Sequence, residues 1–590
     1  MPHPDLRRWT TYPASAGLLL FAQRVEECLF DYTLDSYKAP ALNTHSRCRE
    51  LKSAIQDVRT NGLSKYALTP MLEELASSIR NDPAAQQLLG VHSSHYGDAN
   101  VWKELSINEL EVYAEQVSSQ LRGRYGAELL RQLKELIPSG HKKDLILTLT
   151  TNLVIEWANG GFSRDYIYFR TKGFFFARKG RPITALDQLD AFANLFSGKP
   201  RKWSVTLRGG PEFRHLIGVF PAQFMEIVDS RPDTEGMPKR KAEFYTTEHN
   251  GTYITVLDVE AVDARTARNR AEDRLEVFTN FVRFHIHRQS FTWSGDALVE
   301  CEDLMPKVLG PSTQPIHKNP DCSLLEMPKR VARSIIALGT SMPRESIVRL
   351  TTVLNMHATA LATDTIEAQM FSLWTALESL LPLAEAESRI GRITELAVPI
   401  LSRSYPKKLL TELHGQLLTC VGKVYRDVLS QVAYETDLEK CAAIIAVEQH
   451  EPQRDQLYAA ADRNPLLRHR IYSLKKQLAT AEAIHSLLNE HSQRVAWHLH
   501  RIYRSRNLLV HSGRTLPYSE ALVENLHAYV DRALALLEEV LGRNPRPRNL
   551  DGALLTIRLD HQAHLAYLQK NRRNACTVDN VQELVFGPLR

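Results

Sequence analysis

From Met327 to about Leu541 apolar residues recur at three- and four-residue spacing, and no segment keeps the two-residue rhythm of a strand. Such a stretch can bury its apolar stripes only helix against helix, so an all-α bundle is expected over residues 329–545. One of its helices is legible residue by residue. Asp364 is its expected N-cap, with Glu367 three residues on in a capping-box arrangement. Ile366, Met370, Leu373, Leu377 and Leu381 define its buried face, and Pro382 ends it.

The 590 residues exceed one ordinary core, and the texture changes along them. Residues 1–150 read as mainly helical, with apolar periodicity over Met71–Ile79 and Ile107–Ile137 and a stop at Pro138-Ser139-Gly140. Residues 151–310 read as an α+β domain. Tyr166–Phe169, Gly173–Phe176, Trp203–Leu207 and Thr252–Leu257 look like short strands, helical periodicity returns over Ala264–Phe284, and strand signals resume at Phe291. Residues 228–251, with Lys239-Arg240-Lys241, read as an exposed loop. Pro306, Pro311, Pro315, Pro320 and Pro328 place a linker before the bundle, over 311–328. Residues 546–590 form a C-terminal helical extension. The expected fold is therefore multidomain, an α+β N-terminal region followed by an all-α bundle.

Composition narrows the function classes. A net charge of +5 is too small to imply a polyanionic partner for the whole chain, so any such signal must be local. Cys28, Cys48, Cys301, Cys322, Cys420, Cys441 and Cys576 are scattered, form no CxxC pair and read as reduced thiols without a zinc site. Arg7-Arg8 precedes an apolar run, Ala16–Ala22, that is too short for an export signal, and no stretch is long enough to span a bilayer. A cytoplasmic protein with no membrane partner is expected.

The local signal lies in Arg494–Arg514. This segment carries Arg494, Arg501, Arg504, Arg506 and Arg514, three histidines and no acid. Unpaired charge of this kind suits an RNA backbone; the plainer reading is a helix face whose acids come from neighbouring helices. At about 100° per residue, Val495, Leu499, Ile502 and Leu509 share one face, and Arg506 falls on it. Asn507 and His511 stack on an adjacent face with His500 and Arg504. A guanidinium aimed into an apolar seam is either paired with a buried acid or faces a cleft where an anion binds. Gly513 is a natural residue just past a helix end, which puts His511 in or near the last turn, where the helix dipole favours an imidazolium. A histidine titrating near neutrality can take the 2′-OH proton of RNA and return one to the 5′ oxygen, while an arginine holds the phosphate. Neither a metal nor another cofactor is required.

Arg506-Asn507-Leu508-Leu509-Val510-His511 resembles the arginine, polar residue, apolar spacer and histidine of the HEPN superfamily. Ala496–Tyr503 before it, His511-Ser512-Gly513 at its close and Phe371–Glu378 about 130 residues earlier make the chain similar to the Apea-like HEPN group of bacterial proteins, over roughly residues 330–545. The resemblance implies a helical bundle that dimerises and brings two motifs to one cleft. It implies a ribonuclease of toxin or phage-defence systems acting by abortive infection, with Arg506, Asn507 and His511 catalytic and Glu378, Arg504 and His500 as auxiliaries. The implied partners are RNA, a second copy of the chain and a phage-derived trigger bound by the N-terminal sensing region. A non-catalytic HEPN-fold scaffold for RNA or nucleotide, or a structural partner in a toxin complex, is the alternative.

Three weaker signals remain. His285 and His287 form an HxH pair with no third ligand nearby. Leu207–Pro211 carries a glycine pair without a P-loop's lysine and reads as a turn, and Lys570–Arg573 reads as a solvated basic patch.

Overall fold

The computed structural model describes residues 5–10, 15–33, 36–61, 65–184, 187–221, 223–319, 321–339, 342–381, 388–543 and 549–587. The chain is mainly helical with one antiparallel sheet, and it divides into two compact units. Met1–Ile155, Gly180–Thr184 and Gln314–Arg590 form one, Glu156–Lys179 and Ala185–Thr313 the other. Among the described residues no helix is long and apolar enough to cross a membrane.

The smaller unit is α+β. Its sheet runs β2-β3-β1-β4-β5, with β1 Arg201–Gly209, β2 Met225–Val228, β3 Thr252–Ala261, β4 Trp293–Cys301 and β5 Leu304–Leu309. Alternation sends Val205, Leu207, Ile254, Val256, Ala297 and Val299 to one face, where helix Ala264–His285 covers them with Ala267, Ala271 and Leu275. Asp263 starts that helix, accepting from the backbone of Arg265 and Thr266. Where Trp203 faces Val259 but Val205 faces Val256, two residues of β3, Leu257 and Asp258, stand against the single Ser204, and Asp258 takes φ 50°. This is a β-bulge. Pro306 sits in β5, an edge strand, where a missing N–H is tolerated.

Two expected strands here are helical. Tyr166–Phe169 and Gly173–Phe176 fall largely within helix Arg164–Phe175, capped by the Ser163 side chain. The aromatic run has strand propensity, but Ile167, Thr171 and Phe175 recur every four residues and bury one helical face, and that tertiary burial decides. The expected loop 228–251 contains helix Lys239–Thr246, whose Lys241 pairs with Glu300 at 2.7 Å. His285 ends a helix and is exposed, as is His287, so the HxH pair has no strand to align it.

In the larger unit, helices Thr69–Arg80 and Ile107–Leu121 stand where periodicity places them. Gly123, at φ 71°, breaks the expected Ile107–Ile137 helix before a second one, Tyr125–Leu136, begins. Helix Ile366–Leu380 buries Met370, Leu373 and Leu377 as its spacing requires. Its N-cap is Thr365 rather than Asp364, without a side-chain cap bond, which puts Glu367 at the second helical position, where its carboxylate accepts from the Thr515 hydroxyl at 2.7 Å. Pro382 lies outside the described residues, as does Pro320. The segment read as a linker is anchored: Pro315–Lys318 is a 3₁₀ turn, Ile316 is fully buried in the core, and Lys318 pairs with Asp31 at 3.6 Å.

The helical region holds two hydrophobic cores, both served by one long helix, Ala481–Ser512. Ile484, Leu487 and Leu488 enter a core with helices Tyr405–Leu429, Asp437–Ala446 and Pro465–Leu478; Val495, Leu499 and Ile502 enter a core with Ile366–Leu380, Arg389–Ser402 and Ser519–Leu541. The C-terminal extension contributes to both, through Leu554 and Ile557 to one and Leu568 and Val581 to the other.

Residues 1–150, set apart by sequence texture, belong to this same unit. A buried ion network helps to join them to it. Arg501 is 7% exposed and lies between Glu50, at 2.9 Å, and Glu74. Arg504 reaches Asp57 at 2.6 Å, Arg514 reaches the same carboxylate at 3.1 Å, and Arg47 reaches Glu74 at 3.1 Å. These acids lie on helices Thr44–Asn61 and Thr69–Arg80.

Arg501→Met removes the guanidinium shared by two buried carboxylates and leaves Glu74 with Arg47 alone, a loss of about 3–5 kcal/mol, read as a lower thermal unfolding midpoint. The network also sets an acid limit. Burial alone would raise Glu74, but Arg501 and Arg47 overcome it and hold its pKa to about 2, below the ordinary 4.5. A depressed carboxylate contributes stability in full above 4.5 and loses it as pH falls from 4.5 towards 2. The wild-type midpoint is therefore expected to drop across that window, and Glu74→Gln to flatten the drop.

Candidate active site

Helix Ala481–Ser512 is fixed at both ends. The Thr480 hydroxyl accepts from the Ala483 N–H at 3.1 Å. At the other end Gly513 turns left-handed at φ 63°, and the N–H groups of Gly513 and Arg514 return to the carbonyls of Leu509 and Leu508 at 3.0 and 3.3 Å. His511 therefore sits in the last turn, as the glycine position implied.

The arginines of the acid-free segment do not share one fate. Arg501, Arg504 and Arg514 are neutralised by Glu50, Glu74 and Asp57, acids more than four hundred residues away in sequence. Arg494 donates to the Tyr405 hydroxyl at 3.4 Å and has no carboxylate partner among the described residues. Arg506 has no carboxylate partner among the described residues. Its guanidinium lies 5.9 Å over the Phe371 ring, its Nη1 donates to Asn507 Oδ1 at 3.1 Å, and its buried Nε has no acceptor there. The ring face attracts the cation without neutralising it. Phe371 stands 45% exposed on helix Ile366–Leu380, whose Trp374 meets Tyr503 at 5.6 Å between centroids. The seam where Arg506 lies is thus open at its edge, and Leu509, expected on the core face, is only half-buried.

His511 is exposed, and no described residue hydrogen-bonds to its ring. Asn507 is half-buried and spends its carbonyl on Arg506, orienting the guanidinium rather than the imidazole. The expected auxiliaries lie elsewhere. Arg504 is held by Asp57, and Glu378, nearly buried, pairs with Arg389 at 3.1 Å and not with Arg506. His500 is half-buried, and that burial lowers its pKa against the opposing charge of Glu73, which favours the neutral imidazole. Arg506 and His511, five residues apart, stand about 140° apart around the helix and about 7.5 Å along it.

A cleft of about 650 Å³ opens further back along the same helix, where Arg47, Glu74, Arg494, Trp497 and His498 line it. Neither Arg506 nor His511 reaches it. The acids that hold the helix escaped sequence reading because they lie in another region. The seven-residue spacing of Glu50 and Asp57, which puts both on one helix face, is the signal that could have found them.

No family model matches the chain, and no curated protein and no solved structure is significantly similar to it.

Because Arg506 neutralises no buried acid, Arg506→Ala should change stability by only about 1 kcal/mol, the worth of its ring contact. Paired thermal melts of this variant and Arg501→Met check the contrast. An Arg506→Ala midpoint as low as that of Arg501→Met would make Arg506 a structural residue.

Proposed function

We propose that this chain is a metal-independent endoribonuclease of the HEPN type, with Arg506 holding the scissile phosphate and His511 moving the protons. The observation that carries the reading is a guanidinium with no carboxylate among the described residues, five residues from an exposed imidazole, at the firmly capped end of a helix. A role in anti-phage defence by abortive infection rests on the HEPN resemblance alone.

In the proposed reaction His511 accepts the 2′-OH proton as O2′ bonds to phosphorus. The P–O5′ bond breaks, and the 5′ oxygen leaves with a proton from the imidazolium. Arg506 neutralises the charge that builds on the phosphoryl oxygens, and Asn507 is a positioning residue that steadies Arg506.

The angular separation of Arg506 and His511 favours a site completed by a second copy, whose motif helix lines the same cleft. Exposed apolar side chains on the surrounding helices, among them Ile335, Val348, Leu354, Phe371 and Val510, are consistent with a dimer seam. The ion network gives the N-terminal helices a mechanical hold on the motif helix. A phage-derived trigger bound by the N-terminal region would act through that hold.

One observation favours the second reading, a non-catalytic HEPN-fold scaffold for RNA or nucleotide: within one copy nothing fixes the His511 tautomer, as a working acid–base group usually requires.

Purified protein incubated with RNA in EDTA separates the two. Cleavage is expected to persist and to leave 2′,3′-cyclic phosphate and 5′-hydroxyl ends, while an all-deoxy oligonucleotide stays intact. His511→Ala should slow cleavage by about 100-fold or more. Binding without cleavage supports the scaffold, and strict magnesium dependence with 5′-phosphate products contradicts the mechanism.

A further inference from the structure

Outside the motif helix, three metal-ligating side chains converge. His357 lies on helix Arg344–Leu361; His527 and Asp531, one turn apart, lie on helix Ser519–Leu541. His357 Nε2 is 2.9 Å from Asp531 Oδ1 and 3.1 Å from His527 Nε2, and His527 Nε2 is 3.4 Å from Asp531 Oδ2. We propose that His357, His527 and Asp531 form a binding site for a divalent cation of the zinc class, with its fourth position left to water or a further ligand.

The distances carry the first part of the case. Ligand atoms about 2.0–2.1 Å from a tetrahedral zinc stand about 3.3 Å from one another. The two imidazole nitrogens stand 3.1 Å apart, and Asp531 turns Oδ1 to within 2.9 Å of one and Oδ2 to within 3.4 Å of the other, so either oxygen can serve as the third ligand after a small rotation of the carboxylate. Both imidazoles present Nε2, and the carboxylate supplies the charge; two nitrogens and an oxygen are a usual donor set for zinc.

Proton counting carries the second part. Hydrogen bonds alone leave this triangle short. If His357 Nε2–H points at Asp531, it is not free for His527. If His527 Nε2 is protonated too, two N–H groups confront each other at 3.1 Å. A neutral imidazole has one N–H to give, so one edge always lacks a donor or carries a repulsion. A cation at the centre takes all three lone pairs at once.

The surroundings hold the donors in place. Asn319 Nδ2 donates to Asp531 Oδ2 at 3.0 Å and lies 3.2 Å from His527 Nδ1, while His527 also bonds the backbone of Ile316. Such outer bonds orient ligands and tune their affinity. They come from the segment around the buried Pro315–Lys318 turn, which gives that segment a reason to be anchored. His527 is buried, whereas His357 and Asp531 are partly open, leaving a path for the ion. A cation here ties two helices together and lies off the proposed reaction, so chelation should cost stability and not chemistry.

The test uses the full chain without a polyhistidine tag, stripped with EDTA, loaded with zinc sulfate and freed of excess. About one zinc per chain is expected in the wild type, and less than about a fifth of that in His357→Ala and in Asp531→Asn, with unchanged far-ultraviolet circular dichroism. Zinc should raise the unfolding midpoint of the stripped wild type and leave both variants unmoved. Cobalt in place of zinc should give the visible band of a tetrahedral site without a thiolate charge-transfer band, a readout that needs neither variant to fold. A stripped wild type that takes up no zinc reveals a hydrogen-bonded triad only and overturns the proposal. Undiminished uptake in both variants places the metal on other residues, a thiolate band places it on cysteines, and either overturns the proposal equally.

Discussion

The Arg501 guanidinium, buried between Glu50 and Glu74, is the interaction on which the larger unit depends. A buried charge is tolerated only with its partners in place. Helices Thr44–Asn61 and Thr69–Arg80 must therefore dock at one register along helix Ala481–Ser512, because a shift of one residue would turn Arg501 away from both acids. Tyr518 adds a hydrogen bond to Glu50 at 2.6 Å, and Asp57 ties down Arg504 and Arg514. With that docking set, the motif helix spans two cores, and its capped C-terminal end presents Arg506 and His511.

The helical region was legible because its apolar periodicity is long and strong. The buried face of Ile366–Leu380 follows from spacing alone, and Gly513 marks the helix end by the one backbone conformation that favours glycine. Local competition decided the failures. In Arg164–Phe175 an aromatic run with strand propensity is overruled by four-residue burial, and helix Ile366–Leu380 starts from Thr365, one residue past the expected cap. The domain division is beyond reach of local reading, since the contacts joining residues 1–155 to the helical region, ion pairs and helix packing alike, are long-range.

The candidate site was half legible. Arg506 stands out in the sequence as a charge on an apolar face, and its position over Phe371, with no carboxylate partner among the described residues, gives it a setting that Arg501, Arg504 and Arg514 lack. Which arginines of an acid-free run are already spent depends on where the acids of other helices arrive. For the same reason Glu378 and Arg504, plausible auxiliaries by position, are held by Arg389 and Asp57. The triad of His357, His527 and Asp531 left no local motif, because its members come from two helices more than 150 residues apart.

A shared cleft makes a demand that a single-copy site does not: an arginine from one chain must be able to serve a histidine from the other. Co-expression of Arg506→Ala with His511→Ala, each inactive by itself, tests it directly. Half of the dimers are then mixed, and each mixed dimer holds one intact pairing of the two it would have in the wild type. About a quarter of wild-type RNA cleavage should return. Mixed dimers that form yet cut no RNA would contradict a composite site built from Arg506 and His511.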